Sequence, residues 1–318
     1  MRVFVAGAAG VVGKPLVRQL VAAGHDVVGM TRSPEQGGTV RQAGAKPVFA
    51  DGLDQAAVTA AVLEARPEIV VHEMTALKNM SSFRRFDDDF ALTNRLRTEG
   101  LDHLIAAARA AGARRIIAQS YGNWNYERSG GPVKTEGDPL DPDPPPVMSR
   151  TLEAIRYLES TLLEARDIEG VALRYGNLYG PGTGFSENGA LVALVRRRRL
   201  PIIGDGAGVW SFVHVDDAAG AVVAAITRGA PGIYNAADDE PAPVSVWLPE
   251  LATVLGAKPP RRVPVWLGRI AAGEAAVSMF TRIRGASNER AKHELGLQLV
   301  YPSWRDGFRR GLAEGRSG

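Results

Sequence analysis

The sequence has no cysteine among its 318 residues, which excludes disulfides, thiolate-held metals and a cysteine nucleophile. No apolar run approaches the roughly 20 residues that cross a bilayer. No charged n-region or small-residue cleavage site accompanies the opening strand "MRVFVAG". The expectation is a cytoplasmic protein without membrane contact. The five histidines (His25, His72, His103, His214, His293) fall in neither HExxH nor HxH spacing, so no metal centre is expected. The net charge is only +3, and no basic stripe with interleaved aromatics marks a nucleic-acid surface. The one dense basic run, Arg196–Arg199, reads as a solvated helix end, where cations suit the dipole. A clamp for a substrate phosphate or carboxylate is the alternative.

What is present is ample apolar content, 45%, enough for a large core. Short β-branched runs at Val3–Ala6, Val27–Met30, Pro47–Ala50, Ile69–His72, Arg115–Gln119 and Val171–Tyr175 read as strands. Between them, Gly13–Ala23, Asp54–Ala65, Thr93–Ala111 and Ser149–Ala165 read as amphipathic helices. That alternation predicts an α/β fold: a Rossmann-type, doubly wound parallel sheet with helices on both faces. Gly122–Pro146 is too rich in Gly, Pro and Asp for a helix and reads as a long ordered loop. Beyond Tyr175 the rhythm becomes irregular, with a helix near Gly189–Arg199. The expected division is a nucleotide-binding domain over 1–175 and a smaller, mainly substrate-binding domain over 176–318. Segments near 210–237 are expected to return to the first domain.

The strongest motif is "VFVAGAAGVVGKPLVRQL". A strand runs into Gly7, Gly10 and Gly13, and a helix follows at once. Glycines there let peptide N–H groups approach a pyrophosphate at a helix N-terminus. Val11 and Val12 lie within the same turn. The spacing is GxxGxxG rather than GxGxxG. At the end of the second strand an acid would bind a ribose 2′-hydroxyl, but "MTRSPE" offers Thr31, Arg32 and Ser33. An arginine fork suits a 2′-phosphate. The reading is therefore NADP, with NAD possible. Asp51, in "FADGLD", is placed for an adenine amino group, or simply caps its loop.

Taken in order, "AGAAGVVG", "ADGLD", "VVHEMTA", "LRYGNLYGPG", "FVHVDDAAGAV" and "GIYNAAD" resemble the extended short-chain dehydrogenase/reductase superfamily and its NAD-dependent epimerase/dehydratase group. The resemblance covers nearly the whole chain. It implies a small-molecule substrate in the cleft between the domains, and a homodimer packed through the helices after the fourth and fifth strands. It assigns Gly7, Gly10 and Gly13 to the pyrophosphate, with Asp51, Gly52 and Leu53 beside the adenine. Glu73, Met74 and Thr75 would line the nicotinamide ribose. Asn94, Tyr175, Asn177 and Leu178 complete the cofactor set. His214, Asp216 and Asn235 would be structural.

The resemblance fails at one point. That family uses a Ser/Thr after the fifth strand and a Tyr-x-x-x-Lys on the next helix, where the Lys lowers the pKa of a phenol otherwise near 10. Here "PPPVMSRTLEAIRYLES" puts Val147 or Met148 at the Tyr position and Thr151 or Leu152 at the Lys position. No tyrosine anywhere in the chain is followed four residues later by lysine. Candidate replacements are the Ser120 hydroxyl, Tyr121 one residue on, Tyr126, Glu136 and the Lys78 cation. Trp124, Tyr179 and Trp210 are candidate stacking surfaces for a substrate, or ordinary core. The leading reading is an atypical NAD(P)-dependent oxidoreductase acting on a small carbonyl or alcohol. The alternatives are an epimerase, dehydratase or lyase on a sugar nucleotide or natural-product intermediate, and a non-catalytic NADP(H)-binding regulator.

Overall fold

A computed structural model describes residues 1–77 and 83–312. Seven strands make one sheet: β1 (Arg2–Ala6), β2 (Asp26–Thr31), β3 (Lys46–Phe49), β4 (Ile69–His72), β5 (Arg115–Tyr121), β6 (Glu169–Tyr175) and β7 (Gly232–Ala236). Their order across the sheet is β7-β6-β5-β4-β1-β2-β3, and every pairing is parallel. The central strands are apolar on both faces, as a doubly covered sheet requires: Val3, Phe4, Val5 and Ala6 of β1 and Ile69, Val70 and Val71 of β4 have no exposed surface. The chain order reverses between β1 and β4. A ligand crevice therefore opens at the carboxyl ends of those strands.

The helices in chain order are α1 (Gly13–Ala22), α2 (Pro34–Gln42), α3 (Gln55–Ala65), α4 (Phe86–Arg97), α5 (Glu99–Ala110), α6 (Ser149–Glu164), α7 (Ala190–Arg196) and α8 (Val215–Thr227). Leu16 and Leu20 of α1 pack with Val222 of α8 against Val5 and Val171 on one face of the sheet. On the other face Val58, Leu104 and Leu158, from α3, α5 and α6, cover Phe4 and Ile116. A third core, built from Trp210, Phe212, Trp247, Trp304 and Phe308, holds the C-terminal part together. Among the described residues no helix is long and apolar enough to cross a membrane, and no cluster of potential metal ligands occurs.

Two features depart from the sequence reading, and a third agrees with it. The single helix expected over Thr93–Ala111 is two, because Thr98 breaks it at φ −99° and ψ −85°. Its hydroxyl donates to the Asn94 carbonyl, a side-chain bond that competes with helix continuation. Helix α2 carries two adjacent glycines, which weaken its sequence signal. The Arg196–Arg199 run ends α7 in solvent, and Arg198 donates to the Pro259 carbonyl.

Candidate active site

The nucleotide end of the crevice is made of backbone. Gly7 has φ +94°, and a Cβ there would lie 2.5 Å from the Glu73 carbonyl oxygen. A Cβ on Gly13 would lie 2.1 Å from the Gly7 oxygen. Side chains are thus excluded, and the turn folds tightly over the ends of β1 and β4. Val12 is the N-cap of α1 and has no capping side chain; the Lys14 N–H donates to the Gly10 carbonyl and Pro15 has no N–H, so within the first turn the Gly13 N–H remains available for an anion. Val11 is exposed beside Gly10 and lies next to Gly182 of the "GPGTG" turn. These features fit a dinucleotide pyrophosphate. At the end of β2, Thr31 donates to Gln36, Ser33 stands at the N-cap position of α2 without a side-chain capping bond, and Arg32 is exposed with no carboxylate paired to it among the described residues. Asp51 accepts from the Leu53 N–H at 3.0 Å, so it shapes the adenine-side loop. A Cβ on Gly52 would meet the Met74 sulfur at 2.4 Å. Thr75 is exposed at the mouth.

Beneath the turn lies the Glu73 carboxyl, which the resemblance places along the nicotinamide ribose and which the structure instead buries against Tyr175. Glu73 Oε1 accepts from the Tyr175 hydroxyl at 2.8 Å, while Oε2 is buried without a partner among the described residues. Burial pushes the Glu73 pKa up to about 8, so it carries a proton at neutral pH. His72 is structural: its Nε2–H donates to the Leu96 carbonyl and its Nδ1 accepts from the Met74 N–H. Burial drives its pKa down to about 4.

The reacting end is made of side chains from separate elements. Tyr121, the last residue of β5, donates to Asn177 Oδ1 at 2.6 Å. Asn177 is itself fixed by Ser211, to whose carbonyl its backbone N–H donates at 2.7 Å and its Nδ2 at 3.2 Å. Burial raises the Tyr121 pKa, so this phenol donates a hydrogen bond and cannot act as a base. Trp124 lies beside it with ring centroids 6.1 Å apart, and edge-on to Phe86 at 5.3 Å. Phe86 in turn stacks on Phe90 at 4.5 Å.

Five candidates fall elsewhere. Ser120 is fully buried and donates to Glu159 Oε1 at 2.7 Å. Glu159 also takes both ends of the Arg174 guanidinium. The pleat turns Ser120 and Tyr121 to opposite faces, so Tyr121 holds the position sought for the hydroxyl. Tyr126 has no exposed surface. It donates to Asn235 and accepts from Arg174, which makes it part of the same buried network rather than a proton donor in the crevice. Tyr179 is enclosed by Phe212, His214, Tyr301 and Phe308. Trp210 donates its indole N–H to the Met279 carbonyl inside the C-terminal core. Both are packing residues, not substrate surfaces. Glu136 accepts from the Asn235 N–H, pinning its loop to β7. Lys78 lies outside the described residues.

The model of the NAD dependent epimerase/dehydratase family matches residues 3–237. The chain belongs to that family. It is 47% identical to the 3-diazoavenalumate denitrifying reductase of a Streptomyces species over 314 residues, covering 98% of this chain and 100% of that protein. In structure it resembles the Thermus thermophilus UDP-glucose 4-epimerase solved with NAD, with a TM-score of 0.73, 25% identity and 98% of both chains covered. It also resembles a human epimerase family protein solved with NADPH, with a TM-score of 0.76 at 20% identity over 98% of this chain and 99% of that one. The chain's cofactor is accordingly a nicotinamide nucleotide.

Where the family's dyad would stand, the structure has closed the gap with short polar groups. Thr151, fully buried, donates to Asp87 at 2.6 Å and accepts from Asn94 Nδ2 at 3.0 Å. The same Asp87 carboxylate takes the N–H groups of Arg150 and Thr151, which caps the start of α6. Arg97, three residues beyond Asn94, was missed by sequence reasoning. Its i,i+3 spacing from Asn94 puts both on one helix face, and that was the available signal.

Proposed function

We propose that this protein is an NADPH-dependent reductase that replaces a diazo group on an aromatic acid with hydrogen. One observation carries the reading. The place of the family's proton-transfer pair is filled by a satisfied Thr151–Asp87–Asn94 network, although the cofactor turn is intact. Reducing a carbonyl needs a proton at oxygen as well as a hydride. Displacing a diazonium group does not: R–N2⁺ and hydride give R–H and N2, and two electrons enter while dinitrogen leaves uncharged. The similar Streptomyces enzyme is named for such a denitrifying reduction.

In this reading the bound nicotinamide supplies the hydride. Gly7, Gly10 and Gly13 seat its pyrophosphate, and Arg32 favours a 2′-phosphate. Tyr121, Trp124 and Phe90 offer faces for an aromatic ring. The C-terminal part of the chain closes the substrate side. Leu92 on α4 and Tyr157 and Leu163 on α6 are exposed, which supports a homodimer packed through these helices. A carbonyl substrate remains the second reading, with protonated Tyr121 as the donor. The test is incubation with NADPH and diazotised amino-hydroxycinnamate, following nicotinamide absorbance and labelled dinitrogen by mass spectrometry. Equal consumption of NADPH and release of dinitrogen is expected. Turnover of ketones and none of the diazo compound would defeat the proposal. Arg32→Ala should raise the Kd for NADPH roughly tenfold, an order typical of one lost charged hydrogen bond, and leave NADH unchanged.

A further inference from the structure

Among the described residues, the buried arginines are paired with one exception. Arg174 grips Glu159 at 2.7 Å, and Arg115 reaches Glu169 at 2.6 Å. Arg97 is only 3% exposed, yet among the described residues no carboxylate lies within ion-pair range of it. Its one hydrogen bond is a long one, 3.4 Å from Nη1 to Asn94 Oδ1. Its guanidinium stands over the Phe90 ring at 5.8 Å. Removing an arginine from water without a counter-ion is costly, and five N–H donors in a rigid fork are far from satisfied by one amide oxygen. Such a group is retained where a ligand completes it.

Its position says which ligand. Through Asn94, Arg97 is two hydrogen bonds from Thr151, the position where the family's lysine would stand. The aromatic wall of Phe90, Phe86, Trp124 and Tyr121 runs past it, leading to the hydroxyl held by Asn177. Burial lowers its pKa to about 10, so the cation persists at neutral pH. It feels Tyr121 and Glu159 electrostatically, and it helps to keep His72 neutral.

We propose that Arg97 is the substrate-anchoring cation of this site: it pairs with an anionic oxygen of an aromatic substrate whose ring lies along Phe90, Trp124 and Tyr121. The inference rests on the reductase reading for the substrate's class and names the group that recognises it. The anionic oxygen is a carboxylate or a ring phenolate, and both present the same acceptor to the guanidinium.

The test uses the NADPH complex of the full chain and three probes, read by quenching of nicotinamide fluorescence. Para-methoxycinnamate keeps only the carboxylate, para-hydroxy-meta-nitrocinnamyl alcohol, whose phenol the nitro group brings to ionise near neutrality, keeps only the anionic ring oxygen, and para-hydroxy-meta-nitrocinnamate keeps both. At least one of the single-group probes should bind, which identifies the oxygen. Arg97→Met should weaken that probe at least tenfold, and Arg97→Lys should weaken it less. NADPH affinity should stay unchanged in both. The same Arg97→Met variant, free of ligand, should melt at a higher temperature than the wild type, because an unpaired buried cation has been replaced by an apolar chain of similar length. Unchanged probe affinity in Arg97→Met, or a lower melting temperature, would overturn the proposal. Normal Arg97-dependent binding with no turnover of the diazo compound would instead sink the reductase reading and leave the anchor standing.

Discussion

The two ends of the crevice are built on different principles. At the nucleotide end the contacts that matter are backbone, and side chains are kept out: Cβ atoms on Gly7 or Gly13 would strike main-chain oxygens. At the reacting end the backbone recedes, and the work falls to side chains from α4, β5, α6 and the segment after β6. Tyr121, Asn177, Asn94, Thr151 and Arg97 are separated by up to 83 positions in the chain (177 − 94). The comparison shows which half of such a site is free to change its chemistry. Backbone geometry is tied to the fold, whereas a set of converging side chains can be replaced member by member.

Substitutions can separate the ends, and the largest effect is expected at the turn. Gly13→Val places carbon against an oxygen that cannot retreat. It should abolish NADPH and NADH binding, a loss of roughly 100-fold or more, as read by fluorescence titration. Normal binding would mean that the turn is not the nucleotide seat. Next comes the support under the reacting end. Glu159→Ala leaves Arg174 buried without its carboxylate and should cost about 3–5 kcal/mol in urea denaturation. The double variant Glu159→Ala, Arg174→Met should recover much of that. If the single variant is as stable as the wild type, the Ser120–Glu159–Arg174 network is not the brace described above.

The smallest effect lies where the two ends meet. Glu73 touches the glycine turn with its carbonyl and Tyr175 with its carboxyl. Its folded pKa of about 8 stands above the ordinary carboxylate value of 4.5. The folded protein therefore holds a proton that the unfolded chain releases, and stability falls as pH rises through that window. At roughly 1.4 kcal/mol per pH unit while the folded state keeps its proton, the wild type should lose about 2 kcal/mol between about pH 6 and pH 8 relative to Glu73→Gln. Parallel pH–stability curves for the two proteins would show that Glu73 is ionised throughout.

The same contrast explains what could be read from the sequence. Gly7 and Gly13 are legible because no other residue satisfies their backbone environment, and the sheet is legible because β1 and β4 are apolar on both faces. Ser120 misleads because the strand continues to Tyr121, whose partner in register is Tyr175. One step along a pleat reverses which side chain faces the crevice. Tyr179 and Trp210 look like ligand surfaces because a one-dimensional motif does not show that the C-terminal helices bury them. Arg97 sits in "NRLRTE", which resembles any solvated helix face until Thr98 ends α4 and the helix turns away.

The capping of α6 by Asp87 has an evolutionary consequence. Regaining the family's ancestral pair would take more than two codon changes at Val147 and Thr151. A lysine at 151 would have to enter a site closed to solvent, cut the bonds to Asp87 and Asn94, and disturb the start of the helix that carries it. Each intermediate on that path would lose stability before it gained chemistry. The filled dyad position thus works as a ratchet: descendants of this protein can vary the side chains around it more easily than they can restore the pair.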